Sequence, residues 1–116
     1  MANTFKVKTN AAMPASAGTP LTMYTCPSST QTIIVGLLLC NVHTASVTAS
    51  VNMQSNTSDT ETNENVKLIS TVTIPANSTL EVLTGGKIVM QATDVLQIDC
   101  SVAAKLDATL SILEIT

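Results

Sequence analysis

The chain has 116 residues, a formal net charge of −3, 45% apolar residues and 11% charged residues, a length that calls for one domain and a composition that argues against a disordered body. Five lysines, no arginine and eight acids leave no basic patch to neutralise phosphates, which argues against nucleic-acid binding. Phe5 and Tyr24 are the only aromatics, so platforms for stacking bases or sugars are missing as well.

In chain order, Thr4 to Lys8 alternates apolar and polar residues and predicts a short strand. Ala11 to Pro20 carries two prolines and a glycine, which predicts an extended arm or a plain connection. Residues 1–20 are thus read as an N-terminal strand and arm, and 21–116 as one β-sandwich domain. Leu21 to Cys26 predicts a strand stopped by Pro27. Gln31 to Val42 follows, and seven of the eight residues from Ile33 to Cys40 are apolar. Its β-branched residues and Gly36 favour a strand over a buried helix, and its lack of alternation predicts cover on both faces. It is too short to cross a bilayer, which takes about 20 apolar residues as a helix.

Ala45 to Gln54 alternates, with Val47, Ala49, Val51 and Met53 on one face. Residues 55–65 contain no apolar residue and predict an exposed, mobile loop. Val66 to Ile74 predicts a strand with Val66, Leu68, Val72 and Ile74 inward. Thr79 to Leu83 and Lys87 to Gln91 predict a hairpin around Thr84-Gly85-Gly86-Lys87, where glycine supplies positive φ. Val95 to Val102 places Leu96, Ile98 and Cys100 on one face. Leu106 to Ile115 does the same with Leu106, Ala108, Leu110 and Ile112, while Leu113 and Ile115 extend an apolar pattern on the other face and predict cover there by a strand layer or a neighbouring chain. Eight or nine short strands with turns every 8–12 residues predict an all-β antiparallel sandwich, jelly-roll or immunoglobulin-like, with almost no helix.

No residue set recommends itself as a catalytic, cofactor or metal site. Cys26, Cys40 and Cys100 are odd in number and lack chelating spacing, so they read as buried reduced thiols made in a reducing cytosol. His43 is the only histidine and has no ligand pair near it in sequence. The Gly85-Gly86-Lys87 stretch lacks the spacing and following helix of a phosphate loop. Asp94, Asp99 and Asp107 read as a turn cap and solvated strand faces before they read as paired catalytic carboxylates or calcium ligands. Asp59, Glu61 and Glu64 lack the spacing and glycine of a calcium loop. Asn56 and Asn77 match the glycosylation pattern, which carries little weight in a chain so rich in Asn, Ser and Thr. No secretory signal is visible in the opening residues, and no segment is long enough to span a membrane.

Residues Thr73 to Ile98, with the turn Pro75-Ala76-Asn77-Ser78, the stretch Leu80 to Met90 and the Asp94-to-Ile98 strand, resemble a pattern in small virion structural proteins of tailed phages, notably of marine cyanophages and their relatives. The end, Ala108 to Thr116, the opening Met1 to Lys6 and the strand Thr32 to Asn41 are similar to the same family. The resemblance covers most of the chain and departs in residues 55–65. It implies a β-sandwich that is a non-enzymatic part of the virion, made in the host bacterial cytoplasm. It brings no catalytic residue and no cofactor. The partners it implies are other copies of the chain and capsid, neck or tail proteins, in a symmetric homo-oligomer, with neither nucleic acid nor membrane. Capsid decoration is the leading role, neck or tail adaptor the next. A receptor- or carbohydrate-binding module and a small hydrolase using His43, Asp99 or Asp107 stand as rivals.

Overall fold

Alternation of apolar side chains decides which strands form and which way each faces. The computed structural model describes residues 2–55, 62–83 and 86–116. They form β1 (Asn3–Met13), β2 (Leu21–Thr25), β3 (Gln31–Asn41), β4 (Val47–Gln54), β5 (Val66–Ile74), β6 (Thr79–Glu81), β7 (Ile88–Met90), β8 (Val95–Cys100) and β9 (Leu106–Ile115). No helix occurs among the described residues. The strands make two antiparallel sheets. One has the order β1-β9-β3-β6 with β7 also on β3; the other has the order β2-β8-β4-β5. Counting β6 and β7 as one interrupted strand, this is the strand order of a jelly roll rather than of an immunoglobulin sandwich.

Each sheet turns one face inward. From β9, Leu106, Ala108, Leu110 and Ile112 enter the core; from β4, Val47, Ala49, Val51 and Met53; from β8, Leu96, Ile98 and Cys100. Ile34, Leu37 and Leu39 join them from β3. Burying each large aliphatic side chain is worth about 1.5–3 kcal/mol, so this two-sided layer holds the sheets together.

Three expectations need correction, and in a fourth one of two alternatives falls. β3 is not covered on both faces: Ile34, Leu37 and Leu39 are buried, whereas Val35 and Leu38 are exposed. A bulge between Ile34 and Gly36 puts an extra residue into the strand, and that extra residue hides the alternation in the sequence. Nor does a strand of this chain cover Leu113 and Ile115, which stay half-buried on the outer face. The hairpin between β6 and β7 is replaced by a different pairing. Both strands lie end to end along β3, Thr79–Glu81 against Cys40–Leu38 and Ile88–Met90 against Ile34–Thr32, because the eleven-residue β3 is long enough to take both. Thr84 and Gly85 lie outside the described residues, as do 56–61 of the polar loop. In β5, register shifts opposite Val51 bring Ile69 to that position, and Val66 is left exposed.

β1 is longer than predicted and runs into the proposed arm through Met13, which is buried. The rest of that segment lies on the chain's own sandwich: the Ala104 backbone N–H donates to the Pro14 carbonyl, and the Gly18 N–H to the Cys100 carbonyl. Asn41, also fully buried, ties β3 to its surroundings. Its amide donates to the carbonyls of Ala45, Ile74 and Pro75 at 3.0–3.1 Å, and its Oδ1 accepts from the His43 N–H. Replacing Asn41 by Ala leaves these buried groups without partners. We expect a loss of about 2–3 kcal/mol, read from the urea midpoint with an unchanged m-value.

Candidate functional site

The residues that sequence alone offers for chemistry do not converge. Asp99 lies on the outer side of the four-stranded sheet, paired with Ser50, and Asp107 on the outer side of the five-stranded sheet, paired with Cys40. The Asp107 carboxylate accepts from the Ala12 N–H at 2.9 Å. Asp94 caps the turn before β8 by accepting from the Gln91 N–H. His43 sits in the turn after β3, where its backbone N–H is held by Asn41. Cys26 and Cys100 are buried, Cys40 is half-buried, and all three are free thiols. Glu64 and Asn77 are exposed; Asn56, Asp59 and Glu61 lie outside the described residues. Among the described residues no group of three His, Cys, Asp or Glu side chains could hold a metal.

Two features emerge instead, one above the other. The upper one is the outer face of the five-stranded sheet. Strand register places Phe5, Leu113, Ile33 and Val89 in one row across β1, β9, β3 and β7. Phe5 is 76% exposed and Val89 60%. Val7, 65% exposed, and Val35 lie one row further along, and Leu38 beyond them. On the other side, Ile115 is flanked by Asn3 and Gln31. Lys6, Lys8 and Glu114 occupy alternate positions and point the other way, so no charge falls within the row from Phe5 to Val89, and the Glu81 carboxylate enters only at the far end, beside Leu38. Aligned apolar side chains left in water over a whole sheet width mark an interaction surface.

The lower feature is a polar cluster directly beneath that row. Glu114 continues the inward register of β9 and is 6% exposed. Its Oε1 meets the Lys6 ammonium at 2.7 Å, and its Oε2 accepts from the Tyr24 hydroxyl at 2.6 Å. With its proton committed to Glu114, Tyr24 accepts from the Thr32 hydroxyl at 2.8 Å. The Cys26 thiol lies 3.3 Å from the Thr32 oxygen, and the Lys8 ammonium stands 5.8 Å from the centre of the Tyr24 ring. The Lys6 and Tyr24 hydrogen bonds hold the Glu114 carboxyl below its usual range. Burial, then the Glu114 contact, pushes the Tyr24 hydroxyl up, and burial raises the Cys26 thiol. At neutral pH the cluster therefore holds one anion, Glu114, between the Lys6 cation and a neutral Tyr24 hydroxyl, and offers neither thiolate nor phenolate as a nucleophile. Its effect is mechanical: it fastens β1, β2, β3 and β9 together under the apolar row. The sequence does carry a sign of it, since Glu114 falls on the same parity as Leu106, Ala108, Leu110 and Ile112.

The outer side of the four-stranded sheet has the opposite character. Thr48, Ser50, Asn52 and Gln97 alternate with core residues there. Asn52, Gln54, Asn65, Lys67 and Gln97 line an open cleft of about 260 Å³, and the buried Oδ1 of Asn52 has no hydrogen-bond partner among the described residues.

No family model, curated protein or solved structure matches the chain.

The cluster sets a pH dependence. Because the folded state lowers the Glu114 pKa, its contribution to stability is complete above about 4.5 and is lost as pH falls through the folded value. Because the Tyr24 pKa is raised, its contribution is complete below about 10 and is lost as pH rises past that. Glu114→Gln should flatten the acid side of a thermal-melt profile and lower stability at pH 7. Tyr24→Phe should cost about 1–3 kcal/mol at pH 7 by leaving one Glu114 oxygen short of a donor.

Proposed function

We propose that the chain is a non-enzymatic structural protein of a tailed-phage particle, a capsid decoration protein that seats on the shell in many copies. The observation that supports assembly is the uncharged apolar row of Phe5, Leu113, Ile33 and Val89, presented across a sheet stiffened from below by Glu114 and its partners. A protein working alone has no use for such a surface, whereas one repeated over a symmetric shell gains from every copy. The jelly-roll order agrees with this role, since that architecture recurs in capsid domains, although it recurs in lectins as well. The phage setting itself rests on the resemblance of residues 73–98 and of both ends of the chain to small virion proteins.

One observation favours a second reading. The amide-rich cleft of Asn52, Gln97 and Lys67 has the hydrogen-bonding groups that a sugar would need, so a receptor- or carbohydrate-binding module is the alternative.

Quantitative mass spectrometry of purified particles tests the proposal. Hundreds of copies per particle are expected for a decoration protein. Tens or fewer would point to a neck or tail adaptor. Absence from the particle would remove the virion reading and bring glycan binding at the Asn52 cleft forward.

A further inference from the structure

We infer that two copies of the chain associate face to face through the outer side of the five-stranded sheet, about a two-fold axis lying in the interface and across the strands. The inference rests on reading the chain as an assembling structural protein and specifies its first partner. Three observations on that face carry it.

The first is charge. No charged side chain lies in the row holding Phe5, Leu113, Ile33 and Val89. A partner that buried charges against them would strip those charges of water without pairing them, so the partner surface must itself be neutral and apolar. A second copy supplies such a surface, and an isologous contact requires only that the patch complement itself.

The second is the position of the acids. Glu81 pairs with Leu38 and Asp107 with Cys40, so both outward carboxylates sit at one end of the face. The opposite end, Asn3, Ile115 and Gln31, is uncharged. A two-fold axis across the strands lays the acidic end of each copy over the neutral end of the other. An axis along the strands would bring like charges together.

The third is size. Four strand positions about 4.8 Å apart and about eight residues at about 3.3 Å outline a face of roughly 500 Å² in projection. Side-chain relief raises the accessible area above its projection, toward the roughly 600–800 Å² per partner of a small specific interface. The competing route, pairing along the free edge of β1, is opposed by Lys6 and Lys8, which would bring positive charge to that edge twice over.

Sedimentation equilibrium of the purified chain tests this, alongside Phe5→Glu/Val89→Glu and the gentler Val35→Thr/Val89→Thr, which keeps β-branched residues in the strands. Because all these side chains are exposed on the single chain, far-UV circular dichroism should hold in both variants, and at dilutions where the wild type is monomeric the melting temperatures should coincide. The expected result is twice the 12.1 kDa chain mass for the wild type, at least about 100-fold weaker association for the Glu pair and an intermediate loss for the Thr pair. A wild type that remains monomeric at roughly 100 µM, or a dimer that survives both variants, overturns the inference. Particle binding separates it from the function on which it rests. Monomeric variants that still load onto particles would sink the dimer as an assembly contact and leave the virion role standing. A wild-type dimer never found on particles would do the reverse.

Discussion

A carboxylate placed between two β-sheets has to be paired, and much of one end of this molecule is arranged to meet that demand. Glu114 occupies a position that an aliphatic residue would fill without cost. Having taken it, the acid needs a cation and a donor within reach, and the chain supplies Lys6 from its first strand and Tyr24 from the opposite sheet. Thr32 then satisfies Tyr24, and Cys26 packs against Thr32. Such a network fixes geometry more than it adds stability, because the desolvation of Glu114 offsets much of its attraction to the half-exposed Lys6. Here the geometry fixed is that of β1, an edge strand that is otherwise held by its ladder to β9: of its eleven residues only Met13 is buried.

The two outer faces of the sandwich then divide the labour. One carries threonine, serine and amide side chains with Asp99 and Lys67 among them; the other is an apolar row resting on the Glu114 cluster. Both arise from the same alternation of side chains, and the difference lies in what the outward positions carry. On β4 these are Thr48, Ser50 and Asn52. On β9 and β3 they include Leu113, Ile33 and Val35. The low overall charge thus conceals a molecule with two unlike sides.

Strands with clean alternation were legible in the sequence. β4, β8 and most of β9 bury the residues their pattern indicates, and the all-β sandwich follows from their spacing. What the sequence hid has specific causes. The bulge at Val35 made β3 look apolar throughout, so an exposed face read as a covered one. The β6–β7 stretch carried glycine-rich turn chemistry that matched a hairpin, while the long edge of β3 offered each half a better partner. Glu114 was legible in principle, since its parity marks it as inward, but nothing local announces that Lys6 and Tyr24, 108 and 90 positions away, will meet it. The candidate surface was the least legible part, because it exists only once β1, β9, β3 and β7 lie side by side.

The place of β9 has a consequence for how the chain is made. It follows the other eight strands in sequence, yet it occupies the interior of its sheet, between β1 and β3. Until it arrives, β1 has no neighbour, Leu37 and Leu39 lack their lid, and Lys6 has no acid to meet. The four-stranded sheet can gather during synthesis, but the other must wait for β9 to pair with β3 and bring β1 into the sheet. Such late pairing, across a separation of a hundred residues, belongs with slow, non-local folding and leaves an open, sticky edge in the nascent chain for as long as translation lasts.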